Sequence, residues 1–173
     1  MTTSNVGFIF CIVNCIVQYG LCWKNGYDLP LNFVCPANKM ISYIRSVHNN
    51  VAEDRVWDFR CRRNPYGSNG CSWSGWVNSW DETFAFICPD NRYISGIRSY
   101  HNNQAEDRRH NFYCCKSREK VIVHSCHFTL PNGFDTQIQQ TVPYGYTWKG
   151  VISNHNNAAE DRQFVFLLCR LST

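Results

Sequence analysis

Short runs of alternating apolar and polar residues recur along the chain and predict β-strands. Two of them, RVWDFRC at 55–61 and RQFVFLL at 162–168, alternate at a period of two. Turn-forming clusters such as NPYGSNG at 64–70 interrupt the pattern, and no stretch carries a sustained helical stripe. The pattern therefore predicts an all-β protein. Three further runs are rich in β-branched and aromatic residues, namely 39–47, 92–100 and 148–154.

The phrase HNNxAEDR occurs three times, at 48–55, 101–108 and 155–162. It belongs to a longer repeat, because the residues that precede and follow it also recur after 53 or 54 positions. The predicted units span approximately 23–62, 71–115 and 126–169. Three similar β-units predict a closed pseudo-threefold body in which the copies share a core and cover each other's sheet edges. A β-prism or a β-trefoil fits this description.

The first 22 residues contain no Lys, Arg, Asp or Glu, and Asn14 and Gln18 interrupt their apolar stretch. This composition disfavours a membrane-spanning helix and favours a secretory signal, with small residues Gly20 and Cys22 before Trp23. We therefore expect a signal peptide at 1–22 and a single domain at 23–173. No segment of that domain predicts membrane insertion.

The chain has 173 residues, 15% aromatic and 17% charged, which is typical of one well-packed domain. Its net charge of +4 is too small for a dedicated nucleic-acid binder. A mild positive charge does permit attraction to acidic polymers such as sulfated glycans.

Eleven cysteines occur in the chain, and three of them lie in the expected signal peptide at 11, 15 and 22. The remaining eight predict a disulfide framework and an oxidising, extracellular compartment. Two cysteine positions are lost together in the third repeat, as expected for bonded partners, which predicts Cys35–Cys61 and Cys88–Cys114. The last four then pair as Cys71–Cys115 and Cys126–Cys169, and a swap between Cys114 and Cys115 stays open.

The repeated phrase has a structural and a functional interpretation. We expect its Asp-Arg part to be structural, with the aspartates accepting turn amides and the arginines anchoring the turn: Asp54, Arg55, Asp107, Arg108, Asp161 and Arg162. The His-Asn-Asn part carries groups that bind sugar hydroxyls. Its members are candidate glycan ligands: His48, Asn49, Asn50, His101, Asn102, Asn103, His155, Asn156 and Asn157.

Catalytic and metal sites have little support in the sequence. There is no G-x-S-x-G motif and no phosphate-binding loop, and Glu53 and Asp54 are adjacent and would point to opposite faces of a strand. No repeat holds two histidines at ligand spacing except His124 and His127, which do not share a strand face. We therefore predict a binding or structural protein without enzymatic activity, cofactor or metal.

Two surfaces are further candidates for glycan binding. Basic residues cluster near the ends of two repeats, where arginines and lysines would contact sulfate or uronate groups: Arg60, Arg62, Arg63, Lys116, Arg118 and Lys120. The segment CSWSGWVNSW holds Trp73 and Trp80, which have no equivalent in the first repeat and are candidates to stack on a sugar ring. Trp76 matches Trp23 and is expected in the core.

The order and spacing of these motifs resemble the dermatopontin family, the tyrosine-rich acidic matrix proteins. The similarity is carried by AEDRVWDFRC at 52–61, FYCCK at 112–116 and EDRQFVFLLCRL at 160–171, and it extends from Trp23 to Thr173. The three-unit layout is also similar to the vitelline-membrane outer-layer proteins, which have a β-prism. That analogy favours the prism over the trefoil.

The resemblance implies a secreted, non-catalytic protein of the extracellular space and matrix. Such a protein would bind proteoglycans and matrix proteins, support cell–matrix adhesion and organise collagen fibrils. Relatives of this kind also include invertebrate agglutinins, defence lectins and mineralised-matrix proteins, so a carbohydrate-binding agglutinin is the alternative function. Cell-surface receptors and further copies of the chain are additional candidate partners.

Overall fold

The structure, a computed structural model, describes residues 23–118 and 120–173, so the expected signal peptide lies outside the described residues. All regular elements among the described residues are β-strands, which confirms the all-β class. No helix in this part of the chain is long and apolar enough to cross a membrane. The strands are β1 Leu31–Val34, β2 Lys39–Asn49, β3 Asp54–Arg63, β4 Asn69–Trp76, β5 Phe84–Ile87, β6 Arg92–Asn102, β7 Asp107–Lys116, β8 Ile122–Phe128, β9 Ile138–Thr141, β10 Tyr146–Asn156 and β11 Asp161–Ser172.

Each repeat folds into one long antiparallel hairpin, formed by β2–β3, β6–β7 and β10–β11. The HNNxAEDR phrase makes the closed end of each hairpin: its first Asn ends one strand, its second Asn lies in the turn, and its Asp begins the next strand. Each hairpin also carries a register shift at the corresponding position of its first strand, between Ile41 and Tyr43, Ile94 and Gly96, and Trp148 and Gly150. The repeated strand-forming sequence therefore folds into three copies of one supersecondary unit, a long antiparallel hairpin.

A short strand of each repeat crosses to the hairpin of another repeat and closes the body. Strand β1 of the first repeat pairs with β6 of the second, and β5 of the second pairs with β10 of the third. Strand β9 of the third repeat returns to β2 of the first, which completes the cycle. This cyclic exchange covers one edge of every hairpin and is consistent with the predicted pseudo-threefold, prism-like body.

On the opposite edge, β4 pairs with β7 and β8 pairs with β11. The described residues thus form two four-stranded sheets, β1-β6-β7-β4 and β5-β10-β11-β8, and one three-stranded sheet, β3-β2-β9. Aromatic side chains from the three sheets fill the common core. Trp57 meets Phe164 edge-on at a centroid distance of 5.1 Å, and Phe112 meets Trp148 at 5.8 Å. Burying each such ring contributes on the order of 2–3 kcal/mol.

The crossing strands approach two of the hairpins so closely that glycine is required. A Cβ on Gly96 would lie 2.7 Å from the carbonyl oxygen of Phe33, and one on Gly150 would lie 2.6 Å from that of Phe86. Because these neighbours are backbone atoms paired in a sheet, they cannot move aside without breaking ladder hydrogen bonds.

The four disulfides join the pairs that the repeat spacing predicts, and each lies within one repeat. They are Cys35–Cys61, Cys71–Cys115, Cys88–Cys114 and Cys126–Cys169. Cys114 and Cys115 face opposite sides of β7, as neighbours on a strand must, and therefore reach different partners. Each bridge closes a loop of 26 to 44 residues and contributes on the order of 3–4 kcal/mol.

Candidate functional site

The closed ends of the three hairpins share one turn structure. Asn49 accepts hydrogen bonds from the backbone amides of Val51 and Ala52, at 2.8 and 2.9 Å, through its side-chain oxygen. Asn102 and Asn156 accept the corresponding amides in the other two repeats. These three asparagines, offered above as glycan ligands, are thus occupied in shaping the turn. The exposed amides of the phrase are Asn50, Asn103 and Asn157.

Below these turns, three buried salt bridges link the repeats in a cycle. Arg108 of the second repeat binds Asp54 of the first, with Nε–Oδ1 at 2.5 Å and Nη2–Oδ2 at 2.7 Å. The same bidentate contact joins the third repeat to the second and the first to the third, through Arg162–Asp107 and Arg55–Asp161. The arginines and aspartates of the phrase, expected to serve the structure, therefore join every repeat to its neighbour. We call these six residues the Asp–Arg ring.

The aspartates of the ring are stabilised as carboxylates. Asp54 also accepts the backbone amide of Asp28 at 2.8 Å, and Arg108 donates to the carbonyl of Leu29. Burial alone would raise the pKa of Asp54, but the contacts with His101 and Arg108 outweigh it and hold that pKa well below its usual range. In the same way, His48 and Arg55 outweigh burial and lower the pKa of Asp161 to about 2.

The three histidines of the phrase point inward against this ring, and their side chains are only 1% exposed. His101 places Nδ1 3.3 Å from Oδ1 of Asp54 and Nε2 3.1 Å from Oε2 of Glu106. Burial disfavours the imidazolium, but these carboxylates outweigh it and raise the pKa of His101. Their burial leaves His48, His101 and His155 inaccessible to a glycan at the surface.

A small axial cavity lies among the ring residues. Its floor is formed by Trp57, His110 and Phe164, which occupy the same position in the three repeats. About 20 Å³ is open to the centres of water molecules, which is space for one or two waters. His110 is fully buried, and neither ring nitrogen has a hydrogen-bond partner among the described residues.

The opposite, open ends of the hairpins gather cationic side chains around the 64–70 loop. Lys39 lies opposite Arg63 in the first hairpin, and Arg92 lies opposite Lys116 in the second. Arg118 donates from Nε to the carbonyl of Ser68 in the loop, at 3.2 Å. We call this surface the basic end; it comprises Lys39, Arg63, Arg92, Lys116 and Arg118.

A groove of about 210 Å³ borders the basic end. Tyr66 and Tyr144 form aromatic walls beside Arg63, and Tyr144 is 89% exposed. The third repeat contributes to this groove through Tyr144 and Gly145, which precede β10, so the first and third repeats meet here. An exposed aromatic ring beside a guanidinium group can stack on a sugar and bind its acidic substituent.

The remaining predicted basic residues have different surroundings. Arg62 is half-buried and donates to the carbonyls of Val142, Pro143 and Tyr146, at 2.6, 2.7 and 2.5 Å. These bonds hold the first repeat to the third, so its guanidinium is occupied. Arg60 is exposed and lies over the ring of Tyr43, while Lys120 is exposed beyond the end of β7.

A second aromatic surface lies on β4 and on β6 and β7 of the same sheet, where tryptophans alternate with arginines. Arg98 lies over Trp73 and Trp76, with its guanidinium carbon 4.5 and 5.5 Å from the ring centroids. Arg109 lies over Trp76 and Trp80 at 5.7 and 5.9 Å. Trp76 is 43% exposed, so the prediction that it belongs to the core is wrong. It is the most exposed tryptophan of this surface, although Arg98, Arg109 and Tyr100 also pack on it.

Sequence reasoning missed three features that the fold assembles. Lys39 and Arg92 begin their strands and join the basic end only because their partners end the hairpins. Arg98 and Arg109 interleave with the tryptophans across strands. The carboxylate of Asp28 meets a histidine of the next repeat. The first feature had a signal in the sequence, since Lys39 and Arg92 each begin a run rich in β-branched and aromatic residues.

Comparison with known proteins supports one family. The family model described as Dermatopontin matches residues 25–173. The chain is 39% identical over 165 residues to the hemagglutinin/amebocyte aggregation factor of Limulus polyphemus, covering 94% of this chain and 95% of that protein. It is 40% identical over 142 residues to dermatopontin of Biomphalaria glabrata, covering 82% and 95%.

A third relative, Millepora cytotoxin-1 of Millepora dichotoma, is 35% identical over 145 residues, covering 84% of this chain and 65% of that protein. A search of solved structures found no match. Together with the disulfides, these relatives support an extracellular role in adhesion or lectin-like recognition. The chain belongs to the dermatopontin family.

Proposed function

We propose that the protein binds sulfated or uronate-bearing glycans of the extracellular matrix through its basic end. The observation that carries this proposal is the meeting of five cationic side chains from two sheets around one loop. Lys39, Arg63 and Lys116 are exposed there. A surface of this charge attracts polyanions, and an arginine can bind a sulfate through two hydrogen bonds.

The groove beside the basic end gives the binding its second component. Tyr66 and Tyr144 offer aromatic faces for a sugar ring, while Arg63 offers a charged partner for its sulfate. Held on proteoglycan chains in this way, the protein would support cell–matrix adhesion and, through matrix proteins, collagen fibril organisation. A role in mineralised matrix would use the same basic end, which binds polyanions.

The test is binding to heparin and chondroitin sulfate, measured by titration calorimetry between 50 mM and 500 mM NaCl. We expect binding that weakens steeply with salt, because exposed charges are screened within about 10 Å at 0.1 M. The double variant Lys39→Ser/Arg63→Ser should lose at least tenfold in affinity. Its matched control, Lys24→Ser/Arg60→Ser, removes the same charges from exposed positions elsewhere and should bind like the wild type. Equal losses in both variants would refute the basic end as the site.

A second candidate function is agglutination, and the threefold placement of exposed amides favours it. Asn50, Asn103 and Asn157 stand at equivalent positions around the closed ends, so one chain could engage several glycans at once. The expected result is clumping of fixed erythrocytes that neutral sugars inhibit and high salt does not. Replacing all three amides with alanine should abolish clumping, whereas the basic-end variant should retain it. Clumping that salt abolishes would assign it to the basic end instead.

A further inference from the structure

Two tryptophans of the chain have a spacing that no other pair shares. Of the six tryptophans, only Trp73 and Trp76 stand three positions apart, in the sequence WSGW. Trp80 stands four positions after Trp76, and the remaining three stand alone. The glycan surfaces proposed for the two ends of the body leave this segment unused, so it needs an explanation of its own.

The WSGW segment ends β4, which is the edge strand of its sheet. The pairing of β4 with β7 is irregular between Trp73 and Trp76, where Gly75 has a φ of 82°. A Cβ on Gly75 would meet no atom of the described residues within 4 Å, and Ser74 and Trp76 are exposed. The backbone between the two indole rings therefore faces open space, which can hold a further chemical group.

Arg98 of β6 packs on this segment with a buried N–H group that has no partner. Its guanidinium carbon lies 4.5 Å from the ring centroid of Trp73, and no acceptor among the described residues receives the hydrogen of its Nε. Arg109 lies over Trp76 on the same surface and is satisfied, because its Nε donates to the carbonyl of Asn78 at 2.8 Å. An unpaired buried donor is costly, so the surroundings of Arg98 lack one hydrogen-bond acceptor.

A sugar attached to Trp73 would supply that acceptor. The guanidinium and indole faces already pack on each other here, so the unused capacity of Arg98 lies at its N–H edge. The hydroxyl oxygens of a hexose accept hydrogen bonds. The C–H face of its ring can also pack on an aromatic side chain such as Tyr113, whose ring centroid is 4.9 Å from that of Trp73. A hydroxyl-bearing group next to Trp73 therefore fits what the site lacks.

The sequence and the surroundings of Trp73 together identify the modification. In the endoplasmic reticulum, C-mannosyltransferases act on the first tryptophan of the sequence W-x-x-W, and here that residue is Trp73. The four disulfides indicate that the chain enters this oxidising compartment. We propose that Trp73 is C-mannosylated and that a hydroxyl of the mannose accepts the hydrogen bond of Arg98 Nε.

The reaction forms one carbon–carbon bond and involves no oxidation or reduction. C2 of the indole attacks C1 of a mannose carried on a polyprenyl phosphate, and the bond between C1 and the phosphate oxygen breaks. The polyprenyl phosphate leaves, and the proton of indole C2 passes to a base of the transferase. The indole keeps its N–H and stays uncharged, so its packing with Arg98 is retained.

The test is tandem mass spectrometry of the full chain, secreted from cultured mammalian cells because these contain the transferase. We expect Trp73 to carry the mass of one hexose, resistant to glycosidases that cleave carbon–oxygen links. Trp76→Ala should carry none, because the motif is lost, whereas the matched control Trp80→Ala should carry it fully. If Trp76→Ala is not secreted, protein isolated from the endoplasmic reticulum gives the same answer, since the transferase acts on the unfolded chain. An unmodified Trp73 in the wild type, a chain that stays in the cytosol, or a hexose that persists in Trp76→Ala would each overturn the proposal.

Thermal unfolding tests the contact with Arg98. Wild type from these cells should unfold about 2–4 °C higher than wild type from cells that lack the transferase, the shift that one added hydrogen bond gives a domain of this length. Arg98→Gln should keep the hexose and lose the difference. Arg45→Gln is the matched control and should keep the difference, because Arg45 lies 4.9 Å over Trp23 with the same unpaired Nε among the described residues. Equal Tm values for the two wild-type preparations, or a difference that survives Arg98→Gln, would overturn the role of Arg98.

Discussion

Arg108 binds Asp54 with two hydrogen bonds across 54 residues of sequence, and both side chains are at least 95% buried. The pair joins the second repeat to the first, and its two pseudosymmetric counterparts complete the cycle. Because neither member can reach water, removing one leaves the other as an uncompensated buried charge.

Arg108→Gln should therefore lower the free energy of unfolding by about 3–5 kcal/mol. Arg170→Gln is the control, since Arg170 is exposed and should cost less than about 1 kcal/mol. Chemical denaturation measures both. Adding Asp54→Asn to Arg108→Gln should restore part of the loss, because it removes the orphaned charge. A loss below about 1 kcal/mol for Arg108→Gln would contradict the structural role of the ring.

His110 predicts a specific dependence of stability on pH. Burial, followed by the charge of Arg162, lowers its folded-state pKa from 6.5 to about 3. The unfolded chain therefore binds a proton on this residue at pH values where the folded chain does not. Stability is lost as the pH falls below about 6.5, and the loss continues to about pH 3.

His110→Phe, which copies Phe164 of the third repeat, should remove this contribution of His110 to the pH dependence of stability. The advantage of the variant over the wild type should grow by about 2 kcal/mol between pH 7.5 and pH 5. Urea denaturation at both pH values measures the difference. The contributions of the other histidines to the unfolding free energy cancel, because both proteins contain them. A constant difference would show that His110 is not the buried neutral group described here.

Arg62 and Arg63 are adjacent but should respond to mutation in opposite ways. Arg62→Ala removes three hydrogen bonds to carbonyls of the third repeat and should cost about 1–3 kcal/mol of stability. Arg63→Ala should leave stability unchanged and weaken heparin binding severalfold. Thermal unfolding and heparin titration of both variants separate the two roles. If Arg62→Ala weakened heparin binding and Arg63→Ala did not, Arg63 would not be the guanidinium that binds the glycan.

Gly150→Ala tests the close approach of β5 to the third hairpin. The added methyl would meet the carbonyl oxygen of Phe86 at 2.6 Å, so we expect a cost of about 1–3 kcal/mol. Gly26→Ala is the control, because its methyl would meet only the exposed side chain of Leu29, which is free to move. Denaturation midpoints of the two variants provide the comparison, and similar midpoints would contradict the tight strand contact.

The sequence predicted what depends on local spacing. The hairpin strands, their turns and all four disulfides follow from positions within one repeat. The signals are the alternation of apolar and polar residues and the joint loss of two cysteines in the third repeat. Contacts between repeats could not be predicted in this way, because the partner of Asp54 is 54 residues away and no local signal selects it. Trp76 was assigned to the core by its match with Trp23, but it lies on the outer face of an edge strand, where arginines pack against it.

The pairing of β9 with β2 also sets the order in which the chain can be completed during synthesis. Strand β2 emerges early, yet its edge partner lies about a hundred residues later, in the last repeat. Until that segment leaves the ribosome, the first hairpin presents an unpaired edge that other nascent chains can join. Folding of this protein therefore depends on protecting an incomplete first repeat, and truncation before 138 should yield aggregates rather than a smaller folded protein.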